Sequence, residues 1–387
     1  MTASSSTAPL AGVRVLDLTR LLPGPMCTLH LADLGADVIK IEDTGAGDYA
    51  APALRGLVQR NKRAMRIDLK QPAGVDVLQA LARTADVLVE GFRPGVMDRL
   101  GVGYGSLSGL NPKLVFCSIT GYGQHGPWRD EPGHDLNYCA LAGVADQIGR
   151  AGEPPALSNL PVADLLGGSL TAAMGLLAAL FDAQRSGRGR HVDIAIADGV
   201  LAHAVVPMLS VLKHGHAQPA GSDKLSGGLA CYGLYRTLDG RHLAVGALER
   251  KFWDRFCELL GREDLKPRHL PPDAAGTDAL RSELAEIIGS QPLAYWQQRL
   301  AGSGCCVTPV LRLEEALDEP HFHARGMVVQ PPGGGPRQLG CPVKMTGHHF
   351  AVHRAAPEPG QHSDELLAEL GYGPGQCQAL RDAGAIG

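Results

Sequence analysis

Two short segments carry side chains that can exchange protons near neutral pH. The segment GHDLNY, residues 133–138, places a histidine, a carboxylate, an amide and a phenol close together. Because imidazole has an unperturbed pKa of about 6.5, His134 could take or give a proton. The segment NLPVADLLGG, residues 159–168, places Asp164 where a long apolar helix is predicted to begin. A carboxylate there could face a substrate while nearby backbone N–H groups stabilise an oxyanion.

Each of these residues also has a purely structural interpretation. A histidine beside an aspartate is often a hydrogen-bonded structural pair, which would account for His134 and Asp135. An aspartate at a helix start often caps free backbone N–H groups, which would account for Asp164. The spacing of these residues alone leaves both interpretations open.

Basic residues cluster in predicted loops of the N-terminal part of the chain. Arginine and lysine side chains there could bind the phosphates of a nucleotide-like ligand, and they could equally form a solvated surface. The residues concerned are RNKR at 60–63, Lys70, Arg93 and Arg99.

The segment GYGQHG, residues 121–126, fits the G-x-G-x-x-G pattern of dinucleotide-binding loops. In those loops the last glycine opens a helix whose N-terminus holds the pyrophosphate. Here Pro127 and Trp128 follow immediately, so the segment predicts a tight loop rather than a nicotinamide or flavin site.

The elements that position these segments alternate between short apolar strands and helices, which predicts a Rossmann-like parallel sheet in an α/β domain. The long helix is apolar on every side, and this predicts deep burial. The predicted strands are residues 13–18, 38–42, 87–90, 114–120 and 191–197, and the predicted helices are residues 23–34, 72–84 and 164–184.

A polar, glycine-rich segment at residues 214–228 predicts an interdomain linker. Beyond it, two alternating runs joined by the Asp239–Gly240 turn predict a hairpin within a small α+β domain. Further predicted elements are helices near 249–260, 292–302 and 362–370, a strand at 307–311 and a PPGGGP turn at 331–336. We therefore expect a large domain over 1–215, a small domain over 225–325 and a C-terminal return to the large domain over 326–387.

The composition is that of a globular protein, with 44% hydrophobic residues, 20% charged residues and a net charge of −4. This charge argues against a nucleic-acid partner. Nine cysteines without C-x-x-C spacing suggest neither a disulfide framework nor a zinc site. The N-terminus lacks the pattern of a leader, and no run reaches roughly 18 apolar residues, so we expect a cytoplasmic protein without a membrane partner.

Read together, ordered motifs along nearly the whole chain resemble CoA-transferase family III, also called CaiB/BaiF, and within it the α-methylacyl-CoA racemase branch. The racemase branch has a histidine in GHD-x-NY and an aspartate in NL-x-x-D, whereas transferases usually keep only the aspartate. The motifs are LAGVRVLDLTRLLPGPMCTLHLADLGADVIKIED at 10–43, RNKRAMRIDLKQPAG at 60–74, ADVLVEGFRPGVMDRLG at 85–101, GYGQHGP at 121–127, GHDLNY, NLPVADLLGG, YRTLDGRHLAVGALE at 235–249 and CVTPVLRLEEAL at 306–317.

The resemblance implies a large domain built from both chain ends, a smaller domain between them, and an interlocked homodimer. It implies an acyl-CoA thioester substrate and no metal or redox cofactor, since coenzyme A is part of the substrate. His134, Asp164 and Glu249 are then the expected catalytic residues, with Glu249 reaching the site from the small domain. The expected substrate and CoA contacts are Ile67, Leu69, Lys70, Gly91, Arg93, Arg99, Gly133, Asp135, Asn137 and Tyr138.

Two residues depart from the family pattern. Asp43 stands where similar racemases carry an arginine, which removes one expected phosphate contact. Arg250 replaces the proline common after the matching glutamate, and Glu249 alone would be interpreted as a helix-start carboxylate. The resemblance implies racemisation of 2-methylacyl-CoA thioesters, with CoA transfer through an aspartyl-CoA thioester at Asp164 as the alternative. A CoA-binding protein without catalysis is a third, weaker interpretation.

Overall fold

A computed structural model describes residues 8–45, 51–331 and 334–387. The start of the N-terminal Ser/Thr-rich segment and two residues of the predicted PPGGGP turn lie outside these ranges. The chain divides into two compact units. The first contains Met1–Val144, Ser158–His203 and Pro320–Gly387, and the second contains Ala145–Leu157 and Ala204–Glu319.

The strands follow one another along the chain in three sheets. They are β1 (Arg14–Asp17), β2 (Asp37–Glu42), β3 (Lys62–Arg66), β4 (Val87–Glu90), β5 (Val115–Thr120), β6 (His191–Ala195), β7 (Tyr232–Arg236), β8 (His242–Gly246), β9 (Val307–Pro309), β10 (Val328–Val329) and β11 (Gln338–Leu339).

The helices lie between and after these strands. They are α1 (Pro23–Asp33), α2 (Pro52–Val58), α3 (Pro72–Ala82), α4 (Val96–Arg99), α5 (Tyr104–Leu110), α6 (Asp135–Leu141), α7 (Thr171–Ser186), α8 (Ile196–Ala202), α9 (Val205–His214), α10 (Arg250–Leu260), α11 (Ala274–Gly289), α12 (Leu293–Leu300), α13 (Leu313–Leu317), α14 (Pro320–Ala324), α15 (Ser363–Glu369) and α16 (Pro374–Asp382). Wide turns of π type occupy Ala163–Leu170 and Lys224–Gly228, and 3₁₀ turns occupy Ala145–Gln147 and Glu263–Arg268.

The first unit is built on a six-stranded parallel sheet with the strand order β3-β2-β1-β4-β5-β6. β1 pairs with β2 on one side and with β4 on the other, so the order of connection reverses between β1 and β4. Strand interiors such as Leu16, Ile39 and Leu88 are fully buried, because helices cover both faces of a sheet of this kind. The predicted Rossmann-like α/β fold is confirmed.

β3 was missing from the sequence prediction, which treated residues 60–63 as a basic loop. Lys62 and Arg63 lie in the strand, and the Lys62 ammonium contacts the buried Asp17 carboxylate at 3.2 Å. Arg60 pairs with Asp33 at 2.6 Å, and Arg63 pairs with acidic groups of β2 and α15. These charges are used inside the fold, so the interpretation of RNKR as a phosphate site is wrong.

The C-terminal segment completes this unit. The backbone N–H of Ala64 in β3 donates to Nδ1 of His362, just before α15, at 3.1 Å. Leu366 and Leu367 of α15 are fully buried in the same core as β1 and β2. The large domain is therefore built from both chain ends, as expected. The following helix, α16, was not predicted.

The helical stretch Ala163–Ser186 contradicts the expectation of deep burial. Within one chain, Leu170, Met174, Leu177 and Phe181 have exposed side chains, with Met174 66% exposed. They form a continuous stripe because they recur every three or four residues. By length and composition this stretch could also cross a membrane, but 44% of it is buried, and core helices of globular domains meet the same criterion.

The second unit packs α10, α11 and α12 around the antiparallel β7-β8-β9 sheet. Its core contains the fully buried Trp253 and Phe256. The hairpin was predicted, with Tyr232 of β7 opposite Gly246 of β8, and the small α+β domain is confirmed. The helix α11 was missed.

The boundary of the second unit differs from the predicted boundaries. Its main segment, Ala204–Glu319, includes the residues predicted to form a linker. The unit also includes Ala145–Leu157, which had been assigned to the large domain. The reason is local packing, since the backbone of Gly221 lies against Arg150 and Ala151.

Candidate active site

Two cavities of the first unit open at the reversal point between β1 and β4, where parallel α/β sheets bind ligands beyond the carboxyl ends of their strands. One has a volume of about 600 Å³ and the other about 180 Å³. Thr19 and Arg20, which follow β1, line both cavities, and so does Phe92, which follows β4. The two cavities therefore share one wall.

The larger cavity brings together both predicted proton-transfer residues. His134 immediately precedes α6, and Asp164 lies in the first turn of the Ala163–Leu170 segment. The predicted contacts Gly91, Arg93, Gly133, Asn137 and Tyr138 line the same cavity.

The start of α6 fixes the position of His134. The backbone N–H of His134 donates to Oδ1 of Asn137 at 3.0 Å. The Tyr138 hydroxyl donates to the carbonyl of Gly133 at 2.5 Å. Gly121 and Gly133 hold the Tyr138 ring closely, because a Cβ atom on either would come within 2.6 Å of it. Within GYGQHG, Gly123 and Gly126 adopt positive φ values of 84° and 95°, as the predicted tight loop requires.

The position of Asp164 depends on glycines that allow close helix packing. A Cβ atom on Gly167 would come within 2.4 Å of the carbonyl oxygen of Ile196 in α8. A Cβ atom on Gly168 would come within 2.8 Å of Pro23, at the start of α1. The paired glycines of NLPVADLLGG thus bring the first turn, with Asp164, up against the helices that flank the cavity.

Asp135 links the two catalytic segments. Its Oδ1 atom accepts the backbone N–H of Asp164 at 2.9 Å. The expected contact between Asp135 and substrate is replaced by this internal role, since Asp135 does not line the cavity. The group that caps the first turn at Asp164 is therefore the Asp135 carboxylate rather than the Asp164 side chain.

The surroundings of Asp164 favour its protonated form. Burial, followed by the nearby Asp135 charge, raises the pKa of Asp164 to about 6, with His134 opposing the rise. Burial, followed by the Asp164 charge, also raises the pKa of Tyr138 to about 12, so this phenol stays protonated. Asp164 can therefore act as an acid near neutral pH.

The backbone donors expected at the start of the Asp164 helix are already used. The N–H of Asp164 bonds to Asp135, and the N–H of Leu165 bonds to the carbonyl of Pro161 at 3.1 Å. These two N–H groups are therefore not available to an oxyanion, contrary to the prediction for the start of this helix. In the first turn of α6, next to His134, the N–H groups of Asn137 and Tyr138 donate to the His134 carbonyl at 2.8 Å and 3.2 Å, which leaves the N–H groups of Asp135 and Leu136 at its start.

The smaller cavity is lined by Ile67, Leu69 and Lys70, three of the expected substrate and CoA contacts. Lys70 is exposed at its rim, and Asp43 also lines it. The Asp43 carboxylate lies 3.5 Å from the Arg20 guanidinium.

Two predicted residues lie elsewhere. Arg99 is exposed at the end of α4 and lines neither cavity. Glu249 is exposed in the second unit, where it precedes α10. Its expected approach to His134 remains a prediction.

Sequence reasoning missed several polar residues that line the larger cavity, among them Thr19, Arg20 and Arg129. Arg129 lies in the loop between GYGQHG and GHDLNY, so its nearness to both motifs was an available signal. Leu21, beside Arg20, adopts a positive φ of 63°, a strained conformation for leucine that is typical of functional loops. No sequence pattern indicated this strain.

A doubly wound sheet with a histidine and a protonatable aspartate beside its reversal point is an arrangement typical of α/β enzymes. The family model of CoA-transferase family III matches residues 10–363. The chain belongs to CoA-transferase family III.

Similar proteins include both racemases and CoA-transferases. Alpha-methylacyl-CoA racemase from Homo sapiens is 35% identical over 94% of this chain and 94% of its own length. Acetyl-CoA:oxalate CoA-transferase from Acetobacter aceti is 32% identical over 95% of this chain and 97% of its own. The crystal structure of a CaiB/BaiF family protein from Brucella suis superposes with a TM-score of 0.84 at 27% identity, covering 94% of this chain and 100% of that one.

Proposed function

We propose that the protein inverts the carbon next to the thioester carbonyl of 2-methylacyl-CoA. His134 removes the α-proton from one face of the substrate, and protonated Asp164 delivers a proton to the opposite face. The roles exchange in the reverse direction. Each turnover removes one proton and returns one, so the reaction requires no metal or redox cofactor, and CoA is part of the substrate.

One observation carries this proposal: His134 and Asp164 line one cavity, and the pKa of Asp164 is raised to about 6. An acid that serves at neutral pH needs a pKa near that pH, which an ordinary aspartate lacks. Burial in the cavity wall supplies this change. The 35% identity to alpha-methylacyl-CoA racemase from Homo sapiens supports the same function.

Removing the α-proton produces an enolate, whose negative oxygen needs donors already in place. We assign this role to the N–H groups of Asp135 and Leu136 at the start of α6, because those of Asn137 and Tyr138 already donate to the His134 carbonyl. The pyramidal α-carbon would then lie between His134 and Asp164, with its carbonyl oxygen directed towards the start of α6.

We assign the nucleotide end of CoA to the smaller cavity. Lys70 at its rim provides a cation for a phosphate, while Ile67 and Leu69 provide apolar surface. The shared wall formed by Thr19, Arg20 and Phe92 would let one ligand extend from the smaller cavity into the larger one.

A second candidate function is CoA transfer between carboxylic acids, favoured by the position of the Asp164 carboxylate in the cavity wall. Asp164 would attack the acyl-CoA carbonyl and release CoA thiolate, which gives a mixed anhydride. The thiolate would then attack the aspartyl carbonyl and expel the donor acid as a carboxylate, leaving an aspartyl-CoA thioester; the acceptor carboxylate would attack this thioester, and the same two steps in reverse would return CoA to it. This route uses the ionised carboxylate and has no need of His134.

We also propose that the protein is a cytoplasmic homodimer. The exposed apolar stripe of Leu170, Met174, Leu177 and Phe181 supports a partner on this face. In such a dimer, Glu249 of one chain would approach His134 of the other, as the family resemblance implies.

A direct test of the reaction uses a single enantiomer of a 2-methylacyl-CoA in deuterated water, followed by proton NMR. The racemase predicts loss of the α-proton signal together with the appearance of the opposite enantiomer. A parallel assay measures the exchange of labelled free acid into acyl-CoA. Acid exchange without any α-deuterium would reject the racemase and support the transferase.

A further inference from the structure

The smaller cavity contains an acidic side chain at the position that distinguishes nucleotides in doubly wound sheets. Asp43 directly follows β2, which neighbours the central β1. In folds of this kind an acidic residue after β2 accepts a hydrogen bond from a ribose hydroxyl, whereas an arginine nearby accommodates a ribose phosphate. Asp43 therefore occupies a position at which charge determines specificity.

The backbone around Asp43 is held in place from several sides. The Arg66 side chain donates to the carbonyl of Asp43 at 3.3 Å and to that of Thr44 at 2.6 Å. The N–H of Gly45 donates to Oδ1 of Asp43 at 2.6 Å. These contacts fix the carboxylate in the cavity wall, where the Asp43 side chain remains 32% exposed.

The cations of the smaller cavity are largely committed to acidic or carbonyl partners. Arg20 lies beside Asp43, and its guanidinium also packs over the Phe92 ring at 5.3 Å. Lys40 is fully buried and contacts the carbonyl of Thr19 and, at 3.6 Å, the Asp17 carboxylate. A phosphate dianion placed next to Asp43 would meet a like charge already paired with the nearest arginine.

We infer that Asp43 selects a ribose hydroxyl over a ribose phosphate at the nucleotide end of the acyl-CoA site, an inference that rests on the proposed function. The hydroxyl donates to the Asp43 carboxylate, the 3′-phosphate of the ordinary coenzyme lies away from it in solvent, and Lys70 at the rim is left for the pyrophosphate. The protein therefore gains little affinity from the 3′-phosphate of CoA and accepts thioesters of dephospho-CoA.

Calorimetric titration of purified protein with CoA and with dephospho-CoA at fixed ionic strength tests this inference. We expect the two dissociation constants of the wild type to agree within about threefold. Asp43→Arg should shift their ratio at least about tenfold in favour of CoA, and Asp43→Asn should shift it less. Asp382→Asn, on exposed α16, is the control for the change in net charge. The ratio is unaffected by the fraction of folded protein, because both ligands are titrated into the same preparation.

The outcomes separate this inference from the proposed function. A wild type that binds CoA more than about tenfold more tightly than dephospho-CoA overturns the inference alone, as does an unchanged ratio in Asp43→Arg. Binding of neither nucleotide by the wild type overturns the proposed acyl-CoA function and the inference with it.

Discussion

The backbone N–H of Asp164 donates a hydrogen bond of 2.9 Å to the Asp135 carboxylate, which lies next to His134 in the chain. This contact joins the two segments that carry the proposed acid and base. It also places a negative charge beside Asp164, and this charge helps to raise the pKa of Asp164 to about 6. Asp135 is therefore a positioning residue that acts through Asp164.

Asp135→Asn should change the pH dependence of the reaction while keeping the hydrogen bond. The amide oxygen can still accept the Asp164 N–H, but the negative charge is gone, so the pKa of Asp164 falls. In the direction in which Asp164 is the acid, kcat/KM falls with rising pH as Asp164 ionises. In Asp135→Asn this fall should occur at lower pH, with roughly threefold less activity than wild type at pH 8. Asp146→Asn, on an exposed turn, is the control, and coincident pH profiles for both variants would contradict the assignment.

Asp164→Asn should stabilise the fold at alkaline pH. The folded pKa of about 6 lies above the ordinary value of 3.8, so ionisation costs stability progressively as pH rises between these values. Since the group is only half-buried, we expect a gain of roughly 1 kcal/mol at pH 8 and almost none at pH 4. Urea unfolding at the two pH values measures this, and an equal effect at both would show that ionisation is not the cause.

Much of this site follows from local sequence, because His134 and Asp164 each lie in a short motif and Leu16 and Leu88 lie in apolar runs that predict parallel strands. β3 was missed because the neutralising partner of Lys62, Asp17, is 45 residues away. The role of Asp135 depends on a contact 29 residues distant. Such pairings arise from the folded topology, so the hydrophobic periodicity of the sequence cannot predict them.

Lys70→Ala should weaken substrate binding without slowing chemistry. Lys70 lies at the rim of the smaller cavity, away from His134 and Asp164, so it contributes equally to the ground state and the transition state. We expect KM to rise about tenfold and kcat to stay within about twofold. The sequence predicts the same rise in KM with little change in kcat for Arg93→Ala, although Arg93 lines the larger cavity.

Steady-state kinetics at two salt concentrations measures the effect at Lys70. Arg83→Ala removes an exposed cation outside both cavities and provides the control. A fall in kcat at constant KM in Lys70→Ala would instead locate Lys70 beside the reacting thioester.

Charges introduced into the apolar stripe should disrupt the proposed homodimer. Met174→Glu and Phe181→Glu each place a carboxylate in a face that is apolar in the wild type. Analytical ultracentrifugation at micromolar concentration should give twice the 40.7 kDa chain mass for wild type and a substantially monomeric mass for the double variant. Leu238→Glu, on the exposed turn after β7, should leave the mass unchanged, and a monomeric wild type would reject the dimer.

The two proposed bases can be separated by their effects on each enantiomer. His134→Ala should abolish inversion and α-deuterium incorporation from the enantiomer whose proton faces the imidazole, while exchange from the enantiomer facing Asp164 persists. Asp164→Asn should give the opposite pattern, because each base abstracts only from its own face. Each inversion rate should fall by at least about a thousandfold, and the two losses should not add, since the pair acts as one unit.

The same variants should behave differently if the enzyme is a transferase. Acyl exchange between CoA and a free acid would then persist in His134→Ala and vanish in Asp164→Asn, because the carboxylate alone carries the acyl group. Glu153→Gln, on an exposed loop, is the matched control for both assays. Wild-type protein that incorporates no α-deuterium, yet forms a hydroxylamine-sensitive acyl adduct at Asp164, would reject the two-base mechanism, because a racemase forms no covalent bond to that carboxylate.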